Sequence, residues 1–113
     1  MIVATLPMPP SVNALYANVG RRRVKTKAAR NWHHDASWLI ALEGKGRWIK
    51  GPWRIHVVLP KKMRGDCDNR LKPILDAAVA SGVVIDDKHC VAVSVERTGE
   101  TSEAVVTLRA ANA

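Results

Sequence analysis

The chain has 113 residues, 47% of them hydrophobic, which suits one small domain and excludes both intrinsic disorder and two independent cores. Its 18 Lys and Arg outnumber 10 Asp and Glu for a net charge of +8, which favours a polyanionic partner, nucleic acid foremost. No apolar run reaches membrane length and no secretory signal is visible, and Cys67 and Cys90 lack zinc-site or disulfide-framework spacing, so a cytoplasmic protein with no membrane partner is expected.

Taken in chain order, Ile2–Leu6 has the branched character of a first strand and stops at Pro7, Pro9 and Pro10. Residues 9–16 then form a stiff corner, with Tyr16 expected to pack on the core. Next come Arg21, Arg22, Arg23, Lys25, Lys27 and Arg30, in a segment that opens on Gly20 and has little apolar content. It is read as a solvent-facing loop leading into a helix. Six positive side chains within ten residues repel one another unless a polyanion screens them, so this loop is the first DNA-contact candidate.

From Thr26, an acceptable cap, to about Leu42 the pattern is helical, with Trp32, Ala36, Leu39 and Ile40 as its buried stripe and Gly44 and Gly46 as its end. His33 and His34 are adjacent and do not share a helix face, which argues against a paired metal site there. A short Trp48–Ile49 strand is expected to turn at Gly51–Pro52 into Trp53–Leu59, where Trp53, Ile55, Val57 and Leu59 make one core face. Pro60 ends that strand. Lys61, Lys62 and Arg64 form a second basic patch just before Asp66, a field able to draw a phosphate backbone toward carboxylates that would otherwise repel it.

Residues 65–72, Gly-Asp-Cys-Asp-Asn-Arg-Leu-Lys, hold two carboxylates one residue apart where a strand pattern gives way to a helical one. If the junction is still extended, Asp66 and Asp68 share a face and can share a divalent metal. Lys72 stands one turn beyond Asp68 if the helix has begun by then. Asp68 or Asn69 can cap that helix, but Pro73 confines its start to residues 70–72, which weakens the geometry to Lys72. Leu71, Ile74, Leu75, Ala78 and Val79 mark the core face, Asp76 is an ion-pair partner for Lys72, and Ser81-Gly82 closes the helix. Asp86 and Asp87 follow, then a strand over His89–Glu96, a turn at Thr98–Glu100 and a strand over Glu103–Arg109, these two strands forming an antiparallel hairpin.

Carboxylate oxygens suit Mg²⁺ or Mn²⁺, which can generate a nucleophile from water, while a nearby Lys stabilises developing charge. Against this stands a reading of Asp66 and Asp68 as turn and cap residues and of Asp86-Asp87 as a solvated loop. One pattern favours the chemistry: Pro9-Pro10-Ser11 with Asn13 and Tyr16, a basic segment before the first helix, Arg64-Gly65-Asp66-Cys67-Asp68-Asn69 with Lys72, and Gly82 followed by Ile85-Asp86-Asp87. On these residues the chain resembles the RusA family of Holliday junction resolvases, small phage and prophage endonucleases, over nearly its whole length.

The resemblance implies a single domain over residues 1–113, an α/β fold with a mixed sheet and packed helices, in agreement with the elements above. Asp66 and Asp68 match the paired catalytic aspartates and metal ligands, Asp87 the third, with Asp86 beside it a further candidate ligand, and Lys72 the site lysine. It also implies a homodimer that binds four-way DNA junctions and cuts two strands symmetrically with Mg²⁺ or Mn²⁺. Cys67 stands where an aliphatic residue is more usual, Gly65 where a basic one is, and Pro73 follows the lysine. The chain has no Phe, so an aromatic contact with an unpaired base would come from Trp or Tyr. The competing readings are a noncatalytic structure-selective DNA-binding protein and a structural or protein-binding domain.

Overall fold

The structure is a computed structural model that describes residues 1–11 and 14–112. Val12 and Asn13 of the Pro-rich corner and Ala113 of the tail lie outside the described residues. In chain order the elements are β1 (Ile2–Leu6), β2 (Tyr16–Val19), β3 (Arg22–Lys25), α1 (Lys27–Gly44), β4 (Trp53–Pro60), α2 (Leu71–Ala80), β5 (Cys90–Gly99) and β6 (Ala104–Ala110). Short 3-10 turns at Cys67–Arg70 and Asp87–His89 lead into α2 and β5. The fold is α/β, with a four-stranded mixed sheet in the order β1-β6-β4-β5 and a separate two-stranded ribbon, β2-β3.

Alternation decides which sheet face is covered. Ile2, Ala4 and Leu6, then Trp53, Ile55, Val57 and Leu59, then Ala104, Val106 and Leu108 all bury inward. They meet Trp32, Ala36 and Ile40 of α1 and Ile74, Ala77 and Ala78 of α2 in one core. Thr26 caps α1 as expected, its hydroxyl accepting from the Ala29 N–H at 3.2 Å. The helix runs to Gly44, whose missing side chain lets Val83 approach: a Cβ there would lie 2.8 Å from Val83 Cγ1.

Several expectations need correcting. The last two strands are not a hairpin: β6 pairs antiparallel with β1 and β4, whereas β5 pairs parallel with β4 at the opposite edge. The crossover through α2 delivers β5 parallel to β4, and the most completely buried strand, β4, takes the central place with a neighbour on each side. Strand β5 runs on to Gly99, which passes over the end of β4 so closely that a Cβ would lie 3.0 Å from the Leu59 carbonyl oxygen. Residues 48–49 form no strand; the Ile49 N–H donates to the Val83 carbonyl instead.

The basic segment is not a loop but the β2-β3 ribbon, turning at Gly20 with φ +62° and pairing Tyr16 with Lys25 and Asn18 with Arg23. Its base is fixed where the Thr26 N–H donates to the Leu15 carbonyl and the Thr26 hydroxyl to that of Ala14. Tyr16 is exposed rather than packed on the core, and carries the Arg23 guanidinium over its ring at 4.9 Å. All of β2 is exposed and β3 is exposed or half-buried, so the ribbon stands off the body although Tyr16, Ala17, Val19 and Val24 are apolar.

Candidate active site

The acidic stretch begins as β4 ends. Gly65 turns the chain with φ +86°, a conformation an L side chain rarely adopts, which accounts for glycine where a basic residue was the alternative. Asp66 is extended, but Cys67–Arg70 coil into a 3-10 turn, so Asp68 does not share a strand face with Asp66. A different anchor sets their direction: the side chain of Cys67, between them, packs against the core, and both aspartates are exposed. Asp66 holds the cap position, yet its carboxylate accepts no cap bond. Neither Asp68 nor Asn69 caps α2; that position falls to Arg70, again without a side-chain bond. The carboxylates are therefore not consumed by local structure.

Two arginines fix this turn, Arg70 from within it and Arg97 from β5, and neither stood out in the sequence. Arg70 Nη1 donates to the Pro9 carbonyl at 2.6 Å, tying the turn to the Pro-rich corner. Arg97 Nη1 donates to the Gly65 carbonyl at 2.6 Å from β5. Both contacts join residues more than thirty positions apart, so no local spacing reveals them. Lys72, the second residue of α2, lies 3.4 Å from Asp76 one turn ahead, as expected of Asp76.

The downstream acids divide in role. Asp86 caps the second 3-10 turn, accepting from the His89 N–H at 3.1 Å and from Nδ1–H of the His89 ring at 2.6 Å. The His89 hydrogen bond holds the Asp86 carboxyl below the usual aspartate range. The Asp86 carbonyl is held in turn by the buried Trp53 indole N–H at 2.9 Å. Asp87 is exposed and makes no side-chain bond among the described residues. Helix α2 runs between the two acidic stretches, and its ten residues alone span about 15 Å. Accordingly, no three His, Cys, Asp or Glu side chains among the described residues form a metal-holding group within one chain.

The basic residues fall into two sets. Arg21 sits at the ribbon turn, Arg22, Arg23 and Lys25 on β3, and Lys27 and Arg30 on the first turn of α1, where Arg30 donates to the Lys25 carbonyl at 2.7 Å. Lys61, Lys62 and Arg64 join Met8, Met63 and Arg70 of the acidic turn around a groove of about 600 Å³. Lys61 is partly offset by Glu100 at 2.7 Å, an exposed pair worth little by itself.

Residues 7–109 match the family described as Endodeoxyribonuclease RusA. The chain belongs to the RusA family. It is also similar to the crossover junction endodeoxyribonuclease rusA of Enterobacteria phage HK97, 29% identical over 86 residues, which cover 74% of this chain and 72% of that protein. The sequence expectation of a RusA-type endodeoxyribonuclease agrees with both matches. RusA membership also agrees with the observed α/β fold, and no helix is long and apolar enough to cross a membrane among the described residues.

Proposed function

We propose that this RusA-family chain resolves four-way DNA junctions by divalent-metal-dependent cleavage, acting as a homodimer. The observation that carries the proposal is the turn at Asp66–Asp68, where two exposed carboxylates are left uncommitted on a backbone pinned by Arg70 and Arg97. The donor set fits Mg²⁺ or Mn²⁺, which are held by one or two carboxylates with waters and substrate phosphates; the Cys67 sulfur packs against the core and offers no soft ligand. Asp66 and Asp68 would hold the ion, which when bound supplies an activated water and charge neutralisation at the phosphate.

The remaining roles belong to the protein's own side chains. Asp87 is the third acid, and its separation from Asp66 and Asp68 is bridged if a two-fold related copy brings the acidic turn of one chain to Asp87 of the other. Asp86 serves as the cap that shapes the turn carrying Asp87. Lys72 can leave its exposed pairing with Asp76 to meet negative charge developing on a phosphate. The ribbon residues Arg21 to Lys25 with Lys27 and Arg30 take one stretch of phosphate backbone, and Lys62 and Arg64 steer the strand into the groove at the acidic turn. A two-stranded ribbon of this kind also fits the major groove of a duplex arm.

The test is cleavage of a labelled four-way junction and a matched linear duplex with Mg²⁺, with Mn²⁺ and with chelator. Metal-dependent paired cuts in the junction alone are expected. Asp66→Asn or Asp68→Asn should abolish cutting and leave junction binding largely intact, whereas binding without divalent-dependent cuts by the wild type would favour a noncatalytic DNA-binding protein.

A further inference from the structure

The opposite end of the sheet carries a second group of cations around an exposed tryptophan. Trp48 is 54% exposed, although it follows a helix and precedes a core strand. It is not on a loose segment: the Arg47 N–H donates to the Gly44 carbonyl at 2.9 Å, and the Ile49 N–H donates to the Val83 carbonyl at 2.6 Å while the Ile49 side chain packs against the core. The backbone is fixed on both sides of the indole. Leaving so large an apolar ring in water forgoes burial free energy that a core position would have gained.

Beside it, Trp48, Lys50 and Arg109 line one concavity of about 520 Å³. Arg109 also lines a second, of about 290 Å³, with Arg54 and His56. Arg54 and Arg109 stand directly opposite each other in the β4-β6 register, on the sheet face that no helix covers. Like charges at such a pair are destabilising, and neither guanidinium has a carboxylate partner among the described residues. An anion seated between them removes that cost. Glu96 does not supply it, because its carboxylate already accepts from the His56 Nε2–H at 2.8 Å, while His56 Nδ1 accepts from the Ser94 hydroxyl at 2.6 Å.

We infer that Trp48, Lys50, Arg54 and Arg109 form a binding site for an unpaired stretch of DNA strand, with a base stacked on the Trp48 indole and neighbouring phosphates on the two arginines and the lysine. An aromatic face beside a row of cations is the arrangement that binds single strands without reading their sequence. The register Trp53 to Cys90 and the Trp53 bond to Asp86 put this site at the same end of the sheet as Asp87. A strand held here would thus lie near the third acid. The inference deepens the proposed function and rests on it for the choice of DNA as ligand.

The experiment measures anisotropy of a labelled thymidine oligomer of about eight nucleotides, a length within the usual site size, in chelator across a salt series. Wild type is compared with Trp48→Ala, with Trp48→Phe and with Arg54→Ala/Arg109→Ala, all at exposed positions. Trp48→Ala should weaken binding about tenfold, with Trp48→Phe retaining most of it because a ring face persists. The double arginine variant should lower the slope of log affinity against log salt by about 1.4, the value for two phosphate contacts on a single strand. A wild type that does not bind the oligomer, a Trp48→Ala variant within twofold of it, or an unchanged salt slope would each overturn the site. Junction cleavage on the same preparations separates the two readings: tight Trp48-dependent binding without cutting refutes the nuclease alone, and normal cutting with Trp48-independent oligomer binding refutes this site alone.

Discussion

Mixing two inactive variants tests whether one catalytic centre draws on two copies. Asp66 and Asp68 precede α2 and Asp87 follows it, and the helix between them spans about 15 Å. Two carboxylates on one Mg²⁺ each sit at about 2.1 Å from the ion, so a shared ion demands oxygens within about 4 Å of each other. Within one chain, no three such ligating side chains among the described residues come together. If a two-fold copy brings them together, the Asp66→Asn/Asp68→Asn protein and the Asp87→Asn protein are each inactive. A mixed dimer, however, holds one site with all three acids and one with none. With random exchange half of the dimers are mixed and each has one intact site of two, so about a quarter of the wild-type sites return. The assay is nicking of a labelled four-way junction after subunit exchange, with differently tagged copies co-purified to prove mixing. Single nicks in place of paired cuts are the expected product. Mixed dimers as inactive as their parents would refute the shared centre, as would an Asp87→Asn protein that cuts at the wild-type rate.

Other predictions follow from particular contacts. Gly44→Ala drives a methyl to within 2.8 Å of Val83 Cγ1 and should cost about 1–3 kcal/mol in denaturant unfolding, with Val83→Ala recovering part of the loss through non-additivity. Arg70→Met removes a charged hydrogen bond to the Pro9 carbonyl. We expect a loss of about 1.5–3 kcal/mol in stability and a fall in kcat larger than any change in junction Kd, because the turn bearing Asp66 and Asp68 loosens while the basic ribbon is untouched. The depressed Asp86 carboxyl gives a signed pH effect. Its contribution is fully present above the ordinary value of 3.8 and is lost as pH falls through the lower folded value, so Asp86→Asn should flatten that acid limb of the stability curve. A steeper limb in the variant would contradict the His89 bond as its source.

The elements legible in the sequence were those whose cause is local. The Thr26 cap, the stripe of Trp32, Ala36 and Ile40, the alternation from Trp53 to Leu59 and the closure at Ser81-Gly82 all depend on neighbours within about one turn or two strand positions. What escaped was set by partners far along the chain. An alternating pattern over residues 90–109 is compatible with a hairpin, and only the crossover through α2, which commits β5 to the far edge, excludes it. The basic segment looked like a loop because its residues carry no core-facing period, yet a ribbon that buries almost nothing needs none. At the site, strand alternation would have put Asp66 and Asp68 on one face, but the chain coils into a 3-10 turn after Asp66, and both are exposed for another reason. The Cys67 side chain turned to the core provides the reason, and Arg70 and Arg97 provide the support.

The charge distribution bears on why such a centre would be divided. A chain of net charge +8 that held three bare carboxylates together would carry their mutual repulsion in the free state and present it to an approaching phosphate. Here the acids are apart: one pair stands among Lys62, Arg64 and Arg70, and Asp87 lies toward the end of the sheet that bears Lys50, Arg54 and Arg109. Each acidic stretch sits near positive charge, so in the proposed dimer each end of the chain would hold DNA before the acids meet. If, as proposed, a second copy joins them, the concentration of negative charge becomes conditional on assembly, and a bound divalent cation would offset it. The same two-fold operation generates a second centre, so a dimer able to form one is able to make both of the cuts that a junction requires.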